Sequence, residues 1–346
     1  MARPNMMRAM VMEAPGKPLR MREAPVPRPG PGEVLVQVEA CGVCRTDLHI
    51  VDGELPEARL PLIPGHEIVG RVAEAGQGVT QFRAGERVGA PWLGWTCGTC
   101  RYCLSGRENL CAGFRATGRD AHGGYAEYMT APEDFAFPIP EVFTDAEAAP
   151  LLCAGAIGYR SLKLTGLEAG QNLGLTGFGA SAHLVLMMVR RQHPTIRVFV
   201  FARSEQERAF ARDLGAVWAG SADEEPPEKL HAIIDTTPAW GPVVEAMKRL
   251  TPGGRLVINA IRKEEADKEA LLSLDYPSHL WLEKEIKSVA NVTRADIAAF
   301  LDLAARIPIK PEVETYRLEE ANQALADLKD RKICGAKVLV VDPDAR

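Results

Sequence analysis

The chain has 346 residues, of which 46% are hydrophobic and 25% are charged. These proportions are ordinary for a globular protein and argue against disorder, and the length predicts about two domains. The net charge of −5 disfavours nucleic-acid binding, which usually needs a concentrated basic face. No apolar run approaches the roughly 18 residues of a membrane span, and no apolar secretory segment follows Met1. We therefore expect a soluble, cytoplasmic protein.

The first part of the chain carries short strand patterns separated by proline and glycine turns. The segments 34–38 and 67–72 are typical strands. We therefore predict a compact, largely antiparallel β domain that comprises residues 1–152 and 292–346, with a different domain inserted between these segments.

Cysteines are too sparse for a disulfide scaffold, but their spacing within this domain is informative. Four of them fall within fifteen residues in the pattern C-x2-C-x2-C-x7-C, at Cys97, Cys100, Cys103 and Cys111. Thiolates this close in a glycine-containing loop can chelate one tetrahedral zinc, and four protein ligands close the site to substrate. Structural zinc is favoured over the alternatives, which are an iron–sulfur cluster on the same thiolates or four unliganded thiols.

A second set of soft ligands is scattered along the sequence at Cys44, His66 and Cys153. Two thiolates and one imidazole leave a fourth coordination position open, which is typical of a catalytic zinc. Spacing alone does not separate this set from unrelated residues, and Cys153 by itself is equally consistent with a small buried side chain.

After Cys153 the sequence changes character. Residues 171–203 read as strand, glycine turn, helix and strand, which is the βαβ unit of a Rossmann fold. Gly177 allows the tight turn, Gly179 lets the backbone approach a pyrophosphate at the helix N-terminus, and Ala182 is small enough for close packing. The alternative is an ordinary turn before a helix, which the flanking strand patterns disfavour.

Further strands and helices alternate in the same rhythm. Strands are predicted at 231–235 and 255–258 and a helix at 243–250, with a Pro-Gly-Gly turn before the second strand. This alternation predicts a parallel, doubly wound sheet in a coenzyme-binding domain of residues 153–291.

The tail predicts elements that return to the first domain. A helix is expected from about residue 295, a second at 319–330 and a final strand at 337–341.

In this order, the motifs resemble the zinc-dependent alcohol dehydrogenases of the medium-chain dehydrogenase/reductase family over essentially the whole chain. The resemblance is carried by the four-cysteine loop together with Cys41–His49, Gly65–Glu67, Leu152–Gly155 and the glycine turn 177–182. It implies an α/β chain in which a GroES-like β-barrel catalytic domain holds an inserted Rossmann coenzyme domain, with the active site in the cleft between them.

The resemblance assigns a role to each matching residue. Cys44, His66 and Cys153 become ligands of the catalytic zinc, and the four clustered cysteines hold the structural zinc. Glu67 becomes a nearby carboxylate that can displace the zinc-bound water, with a purely structural carboxylate as the alternative. Asp47 accepts the other ring N–H of His66 and fixes its tautomer, unless it is a solvated surface residue.

The implied reaction is reversible hydride transfer between an alcohol and NAD(P). Zinc acts as a Lewis acid on the alcohol oxygen. Thr46 takes the hydroxyl proton, and the family's relay continues through the cofactor ribose to His49 near solvent, where an imidazole suits proton exchange. The alternative for His49 is an exposed loop histidine without a role.

The coenzyme motif departs from the NAD pattern. The acidic residue expected about 20 residues after the third glycine position falls on Ala202, which Arg203 and Ser204 follow. Without a carboxylate a 2′-phosphate meets no repulsion, and Arg203 can pair with it while Ser204 donates a hydrogen bond. We therefore expect NADP(H) to be used at least as well as NAD(H), the alternative being a solvated Arg203 and use of NAD(H). The other coenzyme-binding positions implied by the resemblance are Arg45 against the pyrophosphate, Gly177, Gly179, Ala180 and Ser181.

Two residues are candidates for the substrate pocket. Trp92 resembles the aromatic wall that many relatives place beside the substrate, with core packing as the alternative. Leu55 stands near the position where some small-alcohol relatives carry tryptophan, so a smaller wall here would admit longer or aromatic alcohols.

Rival functions share some of these features. A polyol dehydrogenase or a cinnamyl-alcohol-type aldehyde reductase would use the same scaffold, whereas a zinc-free quinone reductase would lack the metal ligands. A zinc-ribbon module that binds nucleic acid is disfavoured by the acidic balance, although four arginines lie in the cysteine lobe: Arg101, Arg107, Arg115 and Arg119. We expect a small alcohol or aldehyde substrate, no nucleic-acid or membrane partner, and, by resemblance, a homodimer or homotetramer.

Overall fold

The computed structural model describes residues 4–55, 59–307, 309–330 and 335–341. Contacts between Cα atoms divide the chain into two compact units. The first unit is Met1–Cys153 with Val292–Arg346, and the second unit is Ala154–Asn291. Cys153 thus belongs to the first unit, one residue beyond the boundary expected from the sequence.

The secondary structure of the described residues is as follows. The strands are β1 (Met6–Val11), β2 (Arg20–Pro25), β3 (Glu33–Val43), β4 (Ile68–Ala75), β5 (Arg87–Ala90), β6 (Leu93–Trp95), β7 (Arg115–Ala116), β8 (Tyr128–Pro132), β9 (Phe137–Pro138), β10 (Asn172–Thr176), β11 (Arg197–Phe201), β12 (Trp218–Gly220), β13 (Leu230–Asp235), β14 (Leu250–Ile258), β15 (Glu285–Ser288), β16 (Val313–Arg317) and β17 (Ala336–Val340).

The α-helices are α1 (Arg45–Val51), α2 (Arg101–Leu104), α3 (Asp145–Ala148), α4 (Ala154–Thr165), α5 (Ala180–Gln192), α6 (Glu205–Asp213), α7 (Gly241–Arg249), α8 (Arg294–Arg306) and α9 (Ala321–Lys329). Short 3₁₀ turns lie at Glu108–Leu110, Glu133–Phe135, Ala149–Leu152, Lys268–Ser273 and Leu318–Glu320, and a π turn at Tyr276–Leu280. Each helix within the described ranges is too short or too polar to cross a lipid bilayer.

The first unit is built around a mainly antiparallel sheet. Its strand order is β16-β17-β3-β4-β5-β9, and β8 also pairs with β3. The pairs are antiparallel except for the parallel pair β16–β17. Val34, Val36 and Val38 of β3 are fully buried, so apolar side chains of the long central strand anchor the core. The prediction of a largely antiparallel first domain is confirmed.

The end of the chain completes this sheet. β17 lies between β16 and β3, and its residue Lys337 pairs with Val43 of β3. Because Cys44 and α1 follow directly after β3, the strand at the end of the chain supports the segment that carries several candidate site residues.

The second unit is a parallel, doubly wound sheet. Its strand order is β12-β11-β10-β13-β14-β15, with every pair parallel. β10 and β13 are apolar at their centres and almost entirely buried, as is usual for strands covered on both faces. The Rossmann prediction is confirmed.

One predicted boundary in the second unit is wrong. β14 begins at Leu250, so the Pro-Gly-Gly turn expected before the strand lies within it. Leu250 pairs with Leu230 and Arg255 pairs with Ala232, and this register shift is a bulge that accommodates the extra residues. Gly253 has a φ of +68°, a conformation that glycine adopts without strain.

Candidate active site and metal centres

One buried carboxylate organises the turn between β3 and α1. The backbone N–H of Cys44 donates to Asp47 Oδ2 over 2.9 Å. Asp47 Oδ1 lies 3.0 Å from His66 Nδ1 and 3.2 Å from the backbone nitrogen of Gly65. Because a carboxylate only accepts, His66 carries its proton on Nδ1, and its Nε2 presents a lone pair.

That lone pair lies among other metal-binding atoms. Cys44, His66, Glu67 and Cys153 each offer a ligand atom, and these four atoms all lie within 4.8 Å of one another. His66 Nε2 is buried and has no hydrogen-bond partner within the described part of the chain. Leaving a buried nitrogen unpaired costs about 1–3 kcal/mol, so the arrangement suits a bound cation. Two sulfurs, one imidazole nitrogen and one carboxylate oxygen are donors that zinc accepts.

The pKa shifts within this group single out Cys44 as the donor that ionises most readily. A hydrogen bond from the Cys153 thiol lowers the pKa of Cys44 well below its ordinary value, so Cys44 is the first of the two to ionise. Burial opposes a charged imidazole, but the Asp47 carboxylate outweighs it and raises the pKa of His66. Burial also raises the pKa of Glu67 well above its ordinary value.

Glu67 fits only because residue 42 is glycine. The backbone N–H of Gly42 donates to the carbonyl oxygen of Glu67 over 2.9 Å, which brings these two segments of the backbone together. A Cβ atom on Gly42 would lie 1.8 Å from Glu67 Oε2. The glycine between the first two cysteines of the motif therefore makes room for the carboxylate, a role that the sequence alone does not reveal.

Trp92 contacts the candidate metal site. Its ring centre lies 5.0 Å from that of His66 in an edge-to-face arrangement at 73°. It also lies 6.4 Å from Phe114. The structure thus places an aromatic side chain directly against the imidazole. Leu55 packs half-buried against the core of the first unit, so its place in a substrate pocket stays a prediction.

Three further candidates lie on α1. Arg45 starts the helix and is half-buried. The Thr46 hydroxyl oxygen lies 3.8 Å from Cys44 Sγ. His49, three residues after Thr46, is a neighbour on the helix surface. The structure differs from the expectation that His49 lies near solvent, because only 6% of it is exposed and its Nδ1 lies 2.5 Å from Glu54.

The four clustered cysteines converge in the lobe formed by residues 97–111. The sulfur of Cys97 lies 3.9 Å from Cys103 and 3.5 Å from Cys111, and the sulfurs of Cys100 and Cys103 lie 3.6 Å apart. Four sulfurs placed tetrahedrally at about 2.3 Å from one zinc would be about 3.8 Å apart, so the observed spacing fits that metal. Hydrogen bonds from the backbone of Thr99 and Cys100 lower the pKa of Cys97 to about 6, which favours a thiolate.

The glycine turn of the second unit has the geometry of an anion site. Gly177 has a φ of +80°, and a Cβ atom there would lie 2.7 Å from Thr236 Oγ1. Gly179 caps α5, and a Cβ atom there would meet no protein atom within 4 Å. The backbone is therefore accessible at the positive end of a helix, which suits a pyrophosphate. Ala182 is fully buried, whereas Ala180 is half-buried.

Side chains around this turn are already committed to protein contacts. Ser181 Oγ accepts a hydrogen bond from Asn259 Nδ2 over 3.1 Å. At the end of β11, Ala202 is buried and Arg203 is exposed. The Ser204 hydroxyl donates to Glu207 Oε2 over 2.9 Å while it caps α6. Ser204 therefore has no remaining proton for a phosphate.

Sequence reasoning missed several residues that shape these sites. Glu54 holds His49, and Asn259 holds Ser181. Buried Asp235, at the end of β13, pairs with Lys263, whose Nζ also donates to the carbonyl oxygen of Ala239 over 3.0 Å. Asn259 could have been found from the sequence, because it is a polar residue that directly follows a buried strand. The contacts of Glu54 and Lys263 become visible only in the fold.

Comparisons with known proteins agree with this geometry. Residues 30–141 match the alcohol dehydrogenase GroES-like domain. The chain is 46% identical over 329 residues to "Probable alcohol dehydrogenase AdhA" of Mycobacterium tuberculosis (strain CDC 1551 / Oshkosh), and the match covers 94% of this chain and 93% of that protein.

Two solved structures share the whole fold. One is a cobalt- and zinc-bound thermostable alcohol dehydrogenase from Pyrobaculum aerophilum, with a TM-score of 0.88, 26% identity and coverage of 97% of this chain and 99% of that one. The other is acetophenone reductase from Geotrichum candidum NBRC 4597 in complex with NAD, with a TM-score of 0.87, 26% identity and full coverage of both chains at 100%. Because the curated relative is so similar over almost its entire length, the chain belongs to the medium-chain, zinc-type alcohol dehydrogenase family.

Proposed function

We propose that the chain is a zinc-dependent alcohol dehydrogenase that interconverts a primary or secondary alcohol and its aldehyde or ketone, with NAD(P) as the second substrate. The observation that carries this proposal is the convergence of Cys44, His66 and Cys153, which are far apart in sequence, on one buried spot. The unpartnered Nε2 of His66 supports a metal there. Family membership supports the reaction type.

In this proposal, one group of site residues binds the metal and another group transfers the proton. Cys44, His66 and Cys153 hold the catalytic metal, and Glu67 is a further donor that can give way to substrate. When bound, zinc acts as a Lewis acid that favours ionisation of the alcohol, and the nicotinamide ring accepts the hydride. Thr46 holds the hydroxyl proton at its Oγ1, and His49 accepts it as a base.

The clustered cysteines have a separate task. Cys97, Cys100, Cys103 and Cys111 hold a second zinc, and four protein donors leave no position for substrate. This metal supports the folded lobe. We also propose, from the family resemblance, a cytoplasmic homodimer or homotetramer, which light scattering tests.

Metal analysis and an activity screen test the main proposal. The wild-type protein is expected to contain about two zinc ions per chain and to oxidise at least one alcohol from a panel of aliphatic, aromatic and polyol substrates. Cys44→Ser should lose one zinc and all turnover while keeping its far-ultraviolet circular dichroism. Cys41→Ala is the matched control, because Cys41 lies three residues away on the same segment and is fully buried but stands outside the donor group. Normal turnover by Cys44→Ser would refute the site assignment.

For the coenzyme we propose a preference for NADP(H). The support is the exposed guanidinium of Arg203 beside a position that lacks a carboxylate, Ala202. Ser204 does not contribute to this preference, because its hydroxyl already donates to Glu207.

The ratio of kcat/KM for NADP and NAD tests the preference. Arg203→Ala should lower kcat/KM for NADP about 10- to 100-fold, as expected for loss of a charge-assisted hydrogen bond, and leave the value for NAD nearly unchanged. Arg191→Ala, at an exposed arginine near the end of α5, is the control. A strong wild-type preference for NAD would contradict the proposal.

A further inference from the structure

His49 has a carboxylate partner that supports its role in proton transfer. Glu54 Oε2 lies 2.5 Å from His49 Nδ1. The His49 side chain is only 8% exposed, whereas that of Glu54 is 37% exposed. The imidazole is therefore shielded from solvent, whereas the carboxylate is in contact with it.

The turn after α1 is built to hold this pair together. The backbone N–H of Glu54 donates to the carbonyl oxygen of His49 over 2.8 Å, so backbone and side-chain hydrogen bonds join the same two residues. Gly53 turns the chain with a φ of +75°, and a Cβ atom there would lie 2.6 Å from Pro15 Cβ. Only glycine fits this turn, and the turn brings the carboxylate back to the imidazole.

The other carboxylates near α1 do not take the place of Glu54 beside the His49 ring. Asp52, at the end of α1, pairs with Lys329 Nζ of α9 over 2.9 Å. Asp330 follows Lys329 in the sequence and interacts electrostatically with that lysine. Asp47 is on α1 but bonds to His66. Glu54 is thus the carboxylate that contacts the His49 ring.

We propose that Glu54 is a positioning residue that makes His49 a proton acceptor in alcohol oxidation. Because Glu54 accepts the Nδ1–H of His49, the tautomer is fixed and the lone pair is on Nε2. The carboxylate also stabilises the imidazolium that forms, as in other carboxylate–histidine pairs. This inference rests on the proposed function.

The proton and electron balance is that of alcohol oxidation. The carbinol C–H bond breaks, and its electron pair leaves as hydride to the oxidised nicotinamide. The alcohol O–H bond also breaks, and its proton is transferred to His49 Nε2. A water molecule or buffer base then takes this proton, and reduction of the carbonyl runs the same steps in reverse.

Variants at position 54 in the zinc-loaded, full-length enzyme test the inference. Glu54→Ala should lower kcat for alcohol oxidation at least about tenfold, because general-base catalysis contributes 10²–10⁴-fold and needs an oriented base. KM for alcohol and coenzyme, zinc content and Tm should change little. Glu54→Gln keeps a neutral acceptor for the Nδ1–H, so its kcat should lie between those of Glu54→Ala and the wild type.

Two readouts separate proton transfer from a structural effect. The solvent deuterium isotope effect on kcat should rise in Glu54→Ala, and added imidazole buffer should restore part of kcat by supplying a mobile base. Asp52→Ala removes a carboxylate from the same helix end and should leave kcat unchanged. A kcat of Glu54→Ala equal to the wild type, or a loss that imidazole does not restore and the isotope effect does not accompany, overturns the inference.

The same experiment distinguishes this inference from the proposed function. If the wild type oxidises alcohols and His49→Ala is impaired while Glu54→Ala is not, the role of Glu54 is wrong and the dehydrogenase remains. If the wild type oxidises no alcohol with either coenzyme, the proposed function itself fails.

Discussion

Asp47 joins three parts of the first unit through a single side chain. Its two oxygens bond the backbone of Cys44, the backbone of Gly65 and the ring of His66. It is fully buried, so each of these bonds is shielded from water. The carboxylate therefore fixes both the position of one proposed metal ligand, Cys44, and the tautomer of another, His66.

The variant Asp47→Asn should weaken zinc binding at the Cys44 site. An amide offers one oxygen in place of two, so its NH₂ group must face a backbone N–H or the His66 Nδ1–H. We expect a 10- to 100-fold loss of zinc affinity, as is usual when the carboxylate behind a ligating histidine is changed. Competition with a chromophoric chelator measures this loss.

Asp52→Asn is the control for that measurement. Asp52 is also an aspartate of the α1 region, but its pair with Lys329 is largely exposed and contributes little. Equal zinc affinity in the wild type and Asp47→Asn would show that Asp47 does not orient His66.

For individual residues, the sequence indicates which ones can serve at a site, but it does not predict all of their contacts. The roles of Cys44, Asp47 and His66 follow from the resemblance of their motifs to the family, because spacing alone does not separate these residues from unrelated ones. Gly42 and Glu54 could not be given their roles, because each depends on one close approach: Gly42 to Glu67 across two strands, and Glu54 to His49 across a turn. Such approaches depend on backbone geometry that periodicity does not encode.

Helix α5 combines a proposed coenzyme-binding N-terminus with a buried histidine one turn later. His183 is fully buried, and its Nε2 has no hydrogen-bond partner within the described ranges. The ring lies 6.0 Å from that of Phe210. Burial lowers the pKa of His183 to about 4. The helix is therefore built around a neutral imidazole.

This neutral histidine should make the second unit sensitive to acid. An unfolded histidine has a pKa of about 6.5, so below that pH protonation favours the unfolded chain, and the stability is lost as the pH falls towards 4. Between pH 7.5 and pH 5 the loss through this one group is about 2 kcal/mol. His183→Leu should remove this part of the pH dependence, so its Tm should fall several degrees less than that of the wild type over the same interval.

His193→Leu is the matched control, because His193 ends the same helix but is exposed. Its Tm should follow the wild-type pH dependence. Parallel Tm curves for the wild type and His183→Leu, at equal zinc content, would contradict the assignment of a depressed pKa to His183.

Elements were predictable where burial leaves a clear pattern. β10 and β13 are apolar at their centres and buried along almost their whole length, because both faces of the sheet are covered. The start of β14 was not predictable, because its Pro-Gly-Gly segment is typical of a turn and only the register with β13 reveals a bulge. The capping contact between Ser204 and Glu207 was readable as a Ser-x-x-Glu capping box, yet it competes with the coenzyme interpretation of Ser204.

For the molecule as a whole, the proposed structural zinc would contribute most to the stability of the four-cysteine lobe. Cys97, Cys100 and Cys103 are partly exposed, and Leu104 beside them is 77% exposed. Few apolar side chains are therefore buried in the lobe, and the proposed zinc would supply the folding free energy that a small core does not.

Cys100→Ser tests this role. The variant should retain one zinc instead of two and should become susceptible to proteolysis within residues 96–113, because the loop loses its cross-link. Limited proteolysis followed by mass spectrometry locates the cleavage. The variant Ser105→Ala, which alters the same lobe without touching a ligand, should resist cleavage like the wild type. Resistance of Cys100→Ser would show that the lobe is stable without its metal.

The position of β17 between β3 and β16 also sets the order in which the protein can mature. Translation releases the second unit as one continuous stretch, so it can fold while the ribosome is still at work. The first unit is completed later, because residues 40–43 of β3 lack their β17 partner until residues 336–340 leave the exit tunnel, whereas residues 33–37 can already pair with β8. During that interval residues 40–43 of β3 expose backbone groups that can pair with other chains.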